Sequence, residues 1–176
     1  MASAAKGLWA SGLRLNEALA LSWDQVDDVA VLRCPGKWSI RFFGEGQKSG
    51  TDEIVPCTAE FQQLLESMPH SEGRVFRLDL TTKAAVQIIS KIGRRAGVVV
   101  DHKKGKCATA HDLRRGFATK WSTKVMPIEL ADMMRDELAT VMKFYVDRPV
   151  QNLEKSIAQA ESKLAGKGEP EGEQIV

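Results

Sequence analysis

Four short groups of charged and polar residues stand out in the sequence, and the last of them ends at its single tyrosine. The groups span residues 12–19, 48–50, 111–119 and 142–145. A phenolic oxygen can attack phosphorus, and arginine, lysine and histidine side chains can stabilise the negative charge that develops on the phosphoryl oxygens. This set of residue types therefore favours the exchange of phosphodiester bonds without a metal ion.

Each candidate also has an ordinary structural interpretation when it is taken alone. Arg14 and Glu17 lie three residues apart, which allows a local ion pair worth about 0.2–0.5 kcal/mol. Lys48 lies in a Gly-rich segment but lacks the Gly-Lys-Thr/Ser context of a nucleotide-binding loop. His111 and Arg114 are more specific, since a predicted helix carries them one turn apart on the same face. The order and spacing of the whole set point to phosphoryl chemistry.

In this order, the four groups resemble the catalytic domain of the tyrosine recombinase, or phage integrase, family. The resemblance covers most of the chain, from about residue 8 to about residue 146. The matching segments are the first-arginine box at residues 11–23, the hairpin lysine at Lys48 with residues 54–56, the His-x-x-Arg box at 111–119 and the nucleophile segment at 140–145.

The resemblance implies a covalent mechanism. Tyr145 would attack the scissile phosphate, form a 3′-phosphotyrosyl intermediate and free a 5′-hydroxyl. Lys48 would donate a proton to the leaving 5′-oxygen, and His111 would accept or position the tyrosine proton. Because the phosphotyrosyl link conserves the energy of the broken bond, rejoining would need no ATP, no metal and no other cofactor.

The resemblance assigns the phosphate group to the arginines. Arg14 and Arg114 would grip the non-bridging oxygens, since a planar guanidinium binds such oxygens bidentately and stays charged at any working pH. Their stabilisation should grow as charge builds on the phosphoryl group. Glu17 would support Arg14 or His111 without touching the substrate.

The box that precedes the tyrosine departs from the family pattern. The family usually carries His or Trp here, commonly after Leu-Gly, whereas this sequence has Met133-Met134-Arg135. Arg135 can donate hydrogen bonds to a phosphate oxygen but cannot act as a base. Phe144 follows Arg135 by nine residues and Tyr145 by ten, and both spacings are familiar in the family. If a spacing of nine were required, the domain would be inactive.

Positive charge is concentrated in the middle of the chain. The net charge is +2, but acidic residues in the tail mask a basic stretch between residues 91 and 124. Such a stretch suits a phosphate backbone, and its alternative interpretation is a solvated charged surface. The candidate DNA-binding residues are Lys103, Lys104, Lys106, Arg115 and Lys120.

The elements that must position these residues are helices beside a small sheet. Apolar spacing and turn residues predict helix, turn and helix over residues 3–22, and strands over 29–34, 37–43 and 53–57 with Lys48 at a hairpin tip. The order of elements predicts an α+β, mostly α-helical fold with an antiparallel three-stranded sheet. The later predicted helices span residues 58–68, 81–96, 109–122, 127–134, 136–146 and 153–164.

The resemblance also indicates how the chain is organised. Residues 1–165 would form the catalytic domain, and residues 166–176 a disordered tail. Family members usually carry an N-terminal domain that closes around DNA, and only thirteen residues precede Arg14, so an N-terminal truncation is expected. The implied partners are double-stranded DNA and other protomers of the same protein. The terminal helix would dock either on such a protomer or on its own domain.

Composition argues against several other classes. The three cysteines, Cys34, Cys57 and Cys107, form no Cys-x-x-Cys pair, so neither a disulfide framework nor a zinc site is indicated and a cytoplasmic location fits. No apolar run reaches membrane-spanning length. Two alternatives stay open. One is a degenerate family member that binds DNA without cleaving it; the other, disfavoured by the small size and integrase-like boxes, is a type IB topoisomerase.

Overall fold

The computed structural model describes residues 2–44, 50–69, 72–144, 157–158 and 161–162. It divides the chain into two units, residues 1–145 and 146–176. In the second unit, residues 157–158 and 161–162 are helical and fall within the helix predicted over 153–164. The tail predicted over 166–176 lies outside the described residues.

The described part of the first unit contains seven helices and two small antiparallel sheets. The predicted α+β, mostly helical class with a three-stranded sheet is therefore confirmed. None of the described helices is both long and apolar enough to cross a membrane. In chain order the elements are α1 (Ala2–Ser11), α2 (Leu15–Ala20), β1 (Val29–Cys34), β2 (Lys37–Phe42), β3 (Glu53–Pro56), α3 (Ala59–Glu66), α4 (Thr82–Arg95), β4 (Val99–Asp101), β5 (Lys106–Cys107), α5 (Ala110–Trp121), α6 (Pro127–Met134) and α7 (Leu138–Phe144).

The three-stranded sheet has the order β1-β2-β3, and its register buries one face. Val31 lies opposite Ile40, and Ile40 lies opposite Val55 on the third strand. Val31 and Ile40 are buried in the core. Phe42 and Glu53 face each other at the end of the β2–β3 pairing, so they mark the base of the hairpin that carries Lys48.

Two threonines cap the helices α3 and α4 at their N-termini. The Thr58 hydroxyl accepts a hydrogen bond from the amide of Phe61 at 3.2 Å, and the Thr81 hydroxyl accepts one from the amide of Ala84 at 3.3 Å. Each such cap satisfies an otherwise unpaired amide of the first turn and contributes about 1 kcal/mol.

A second sheet, the β4–β5 hairpin, is not anticipated by the sequence patterns. Its strands have three and two residues. Alternation cannot be recognised over such lengths, since the strand period needs at least four residues to show itself. The amide of Ala108 donates to the carbonyl of Val98 at 2.8 Å, which continues the hairpin beyond β5.

Two glycines allow α1 to lie close to α5. A Cβ atom at Gly116 would lie 2.0 Å from the ring of Trp9, so any larger residue would displace that ring. Gly12 follows α1 with a φ of +69°, and a Cβ atom there would lie 2.5 Å from the ring of Phe117. These approaches pack α1 against α5. The surrounding core includes Leu8, Leu13, Leu21, Val31, Ile40, Phe42, Phe61 and Leu65.

Candidate functional site

Arg14 stands at the N-cap of α2 with an extended backbone, and Glu17 of the same helix fixes it from two sides. The Arg14 amide donates to Glu17 Oε2 at 2.8 Å, and Arg14 Nη1 donates to Glu17 Oε1 at 3.0 Å. Arg14 Nη2 donates to the carbonyl of Arg135, 121 residues away in sequence, at 2.8 Å. The Arg14 side chain is 41% exposed, so part of its guanidinium faces solvent.

Arg114 lies on α5 and is buried, with its side chain only 5% exposed. Its Nη1 donates to the carbonyl of Gly12 at 2.5 Å, and its Nη2 donates to the carbonyl of Met134 at 2.6 Å and to Asp136 Oδ2 at 3.0 Å. Burial and the charge of Arg14 lower the pKa of Arg114, while nearby carboxylates oppose the shift. An arginine nevertheless stays protonated in proteins. Arg114 is therefore a fixed positive charge.

Arg135 ends α6 in the left-handed conformation, with φ 52° and ψ 54°. This is the place in a helix terminus that glycine most often fills. Its Nε donates to Glu53 Oε2 at 2.5 Å, and its Nη1 donates to Glu17 Oε1 at 2.9 Å. The guanidinium carbon lies 3.6 Å from the centre of the Phe42 ring. Arg135 thereby ties the end of α6 to the base of the β2–β3 hairpin.

Asp136 connects Arg14 and Arg114, the two arginines to which the family resemblance gives the phosphate. Its Oδ2 accepts from Arg114 Nη2 at 3.0 Å, and its Oδ1 lies 3.7 Å from Arg14 Nη2. The Asp136 amide donates to the carbonyl of Ala131 at 3.0 Å, which fixes the backbone just beyond α6. One carboxylate thus spans both guanidinium groups.

These side chains form one connected group, here called the arginine cluster. It draws on α2, β3, α5 and the segment between α6 and α7, so distant parts of the chain meet in one place. Its formal charges cancel, because three carboxylates accompany three guanidinium groups. Its members are Arg14, Glu17, Glu53, Arg114, Arg135 and Asp136.

The remaining predicted catalytic residues lie outside the arginine cluster or outside the described residues. His111 is exposed in the first turn of α5, one helical turn before Arg114. Lys48 lies outside the described residues, although both ends of its hairpin contact Arg135 through Phe42 and Glu53. Tyr145 also lies outside them, directly after the last residue of α7. The roles of all three stay predictions.

No protein-family model matches the sequence, and no curated protein matches it. Solved structures do match. A Tn1549 transposon integrase in complex with transposon right end DNA is 17% identical, with a TM-score of 0.61 over 89% of this chain and 57% of the integrase chain. The chain has the fold of a tyrosine recombinase catalytic domain.

Two further recombinases share this fold. The XerH site-specific recombinase bound to difH substrate is 23% identical, with a TM-score of 0.58 over 88% of this chain and 45% of XerH. The XerA recombinase is 20% identical, with a TM-score of 0.56 over 90% of this chain and 55% of XerA. The chain spans about half the length of these solved chains.

Three of the five predicted DNA-binding residues lie outside the arginine cluster and form ion pairs with carboxylates. Lys106 Nζ lies 3.5 Å from Asp112 Oδ2, and Arg115 Nη1 lies 3.7 Å from Asp112 Oδ1. Burial raises the pKa of Asp112, but hydrogen bonds from Thr109 and the charge of Lys106 outweigh it and leave the pKa below its usual value. Lys120 pairs with Glu60 of α3.

Lys103 and Lys104 differ from these three residues because they are exposed in the turn between β4 and β5. Their backbone amides donate to Asp101 Oδ1 at 3.0 and 3.1 Å, which orders the turn. The five predicted DNA-binding residues are here called the basic surface. Among the described residues, Lys106, Arg115 and Lys120 of the basic surface have ion pairs, whereas the turn lysines Lys103 and Lys104 have none.

Sequence reasoning missed Asp136 and Glu53. The available signal was the acidic pair Asp136-Glu137 directly after Arg135, because an arginine that is to be buried needs a carboxylate partner. Glu53 gave no such signal, since it reaches Arg135 only through the pairing of the sheet. Within the described ranges, no three His, Cys, Asp or Glu residues are grouped to hold a metal ion.

Proposed function

We propose that this chain is the catalytic domain of a tyrosine recombinase, which cuts and rejoins double-stranded DNA through a 3′-phosphotyrosyl intermediate. The observation that carries the proposal is the meeting of Arg14 and Arg114, 100 residues apart in sequence, within a recombinase fold. The solved integrase and XerH structures were determined with DNA, which supports DNA as the substrate.

In the proposed reaction the Tyr145 oxygen attacks phosphorus, and the bond from phosphorus to the 5′-oxygen breaks. His111 accepts the phenolic proton, and Lys48 donates a proton to the departing 5′-oxygen. Arg14 and Arg114 stabilise the charge on the non-bridging oxygens. Rejoining reverses each transfer, so the cycle balances without ATP or a metal ion. Other protomers would assemble with this one on DNA.

The left-handed backbone of Arg135 supports Tyr145 as the nucleophile. In the family pattern Leu-Gly precedes His or Trp, and glycine is the residue that most readily adopts this conformation. If Arg135 fills the glycine place, Asp136 fills the place of His or Trp, and Tyr145 follows Asp136 by nine residues. A structural role for Arg135 follows, since its guanidinium is held by Glu17 and Glu53.

Relaxation of supercoiled plasmid in EDTA and without ATP tests the proposal without knowledge of the target site. The unaltered chain should relax the plasmid, and Tyr145→Phe should not. Phe144→Leu is the matched control, since it changes the neighbouring aromatic residue and leaves the nucleophile. Relaxation that survives Tyr145→Phe would refute the proposed chemistry.

A second candidate is a family member that binds DNA without cleaving it. The observation that favours it is the Asp136 carboxylate, which contacts both arginines and, if Arg135 fills the glycine place, stands where the family carries His or Trp. This candidate predicts equal DNA binding by the unaltered chain and Tyr145→Phe, with no covalent adduct from either. An adduct that survives denaturation in detergent and requires Tyr145 would exclude it.

A further inference from the structure

Asp136 is placed so that an anion arriving at the two arginines would meet it. Its carboxylate accepts from Arg114 Nη2 at 3.0 Å and lies 3.7 Å from Arg14 Nη2. The Asp136 side chain is 20% exposed, compared with 11% for Glu17, the other carboxylate on Arg14. A solvent anion can therefore reach Asp136 more readily than it can reach Glu17.

Both arginines keep other partners that do not depend on Asp136. Arg114 also donates to the carbonyls of Gly12 and Met134, at 2.5 and 2.6 Å. Arg14 also donates to Glu17 and to the carbonyl of Arg135, at 3.0 and 2.8 Å. The guanidinium groups therefore stay oriented when the Asp136 carboxylate leaves them.

We infer that the Asp136 carboxylate is an internal anion that occupies the phosphate position of the unbound protein and must be displaced when a phosphodiester binds. The inference rests on the proposed function, because it assigns the phosphate to Arg14 and Arg114. A carboxylate and a phosphate both offer oxygens to guanidinium groups. The two anions repel each other at contact distance, so they compete for the arginines.

The test is a titration with inorganic phosphate at constant ionic strength, followed by the side-chain ¹H–¹⁵N NMR signals of Arg14 and Arg114. Asp136→Asn keeps the size of the side chain and one accepting oxygen, but removes the charge. The titration midpoint of Asp136→Asn should lie at a phosphate concentration about tenfold lower than that of the unaltered chain. A tenfold change corresponds to only a modest part of the repulsion between two unit charges at contact. Asp136→Glu, which keeps the charge, should stay within about threefold of the unaltered chain.

Asp132→Asn is the matched control, because it removes the same charge from an exposed position on α6, four residues earlier. It should leave the phosphate midpoint unchanged. A purely structural role for Asp136 predicts an equal or higher midpoint for Asp136→Asn, and that result would overturn the inference. The absence of any phosphate-dependent change in Asp136→Asn would overturn it as well.

If circular dichroism shows that Asp136→Asn does not fold, the unaltered chain provides the test. The ¹³Cγ signal of Asp136 must then move during the phosphate titration, with the same midpoint as the arginine signals. A constant ¹³Cγ signal would contradict the displacement.

Plasmid relaxation separates this inference from the proposed function. A lower phosphate midpoint in Asp136→Asn without any Tyr145-dependent relaxation would refute the proposed cleavage and retain the internal anion. Relaxation with no change of midpoint would retain the cleavage and refute the internal anion.

Discussion

Arg114 and Arg115 are neighbours in sequence, yet they belong to two regions that hold positive charge in different ways. The Arg114 side chain is 5% exposed and makes three hydrogen bonds of 3.0 Å or less, one of them to Asp136 of the arginine cluster. The Arg115 side chain is 54% exposed and has one ion pair at 3.7 Å on the basic surface. A buried and an exposed side of α5 therefore carry a fixed charge and a solvated charge.

This difference decides what each region can contribute. An exposed pair is screened by salt and contributes at most about 1 kcal/mol. A buried pair resists screening, and removing one partner costs about 3–5 kcal/mol because a charge is left unpaired. Under the proposed function, the arginine cluster would hold one phosphate at one position, and the basic surface would attract a DNA backbone without fixing it.

The largest expected effect is that of Arg114→Lys on the proposed cleavage. An ammonium group cannot reproduce the two-pronged donation of a guanidinium group, so we expect relaxation to slow by about a thousandfold. Arg115→Lys is the control and should change the rate by less than about threefold. Initial rates of plasmid relaxation measure both. Similar relaxation rates for the two variants would show that the buried Arg114 and the exposed Arg115 do not differ in their contribution to cleavage.

Glu17→Gln should have the next largest effect, on stability. Glu17 Oε1 accepts from both Arg14 and Arg135, and an amide cannot balance their charges. We expect a loss of about 3 kcal/mol in the free energy of unfolding. Glu60→Gln removes the partner of Lys120 at the surface and should cost less than about 1 kcal/mol. Urea denaturation measures the free energy of unfolding of both variants. Equal losses of stability would contradict the difference between the buried and the exposed ion pairs.

The smallest effect concerns the turn lysines of the basic surface. If Lys103 and Lys104 contact phosphates, the double alanine variant should lower the slope of log affinity against log salt by about 2. The free energy of unfolding should change by less than about 0.5 kcal/mol, since surface substitutions rarely cost more. Fluorescence anisotropy with a short duplex at several salt concentrations measures the slope. An unchanged slope would place the DNA elsewhere.

Much of the fold can be predicted because its signals are local. Thr58 and Thr81 begin helices through their own hydroxyl groups, and β2 alternates polar and apolar residues from Lys37 to Phe42. The β4–β5 hairpin was missed because its strands are too short to show a period. Local sequence signals thus predict the class of the fold but not its shortest strands.

The candidate site is predictable only in part, since its contacts join distant segments. Arg14 and Arg114 suggest phosphate chemistry by their residue type, because a guanidinium group suits phosphate oxygens wherever it lies in a chain. Their link through Asp136 depends on how α6 ends. At that end Arg135 adopts a left-handed conformation, which no local sequence pattern favours for an arginine. The ion pairs of Lys106 and Arg115 with Asp112 likewise follow from packing and the turn of a helix.

Gly12 joins the core to the arginine cluster through one backbone position. Its carbonyl accepts from Arg114 at 2.5 Å, its lack of a Cβ atom leaves room for the ring of Phe117, and its backbone is left-handed. An alanine here would cost about 1–2 kcal/mol from the backbone alone, before the clash with that ring is counted. A genetic screen for temperature-sensitive alleles should therefore recover substitutions of Gly12, because the same change would destabilise the core and displace Arg114, the proposed phosphate ligand.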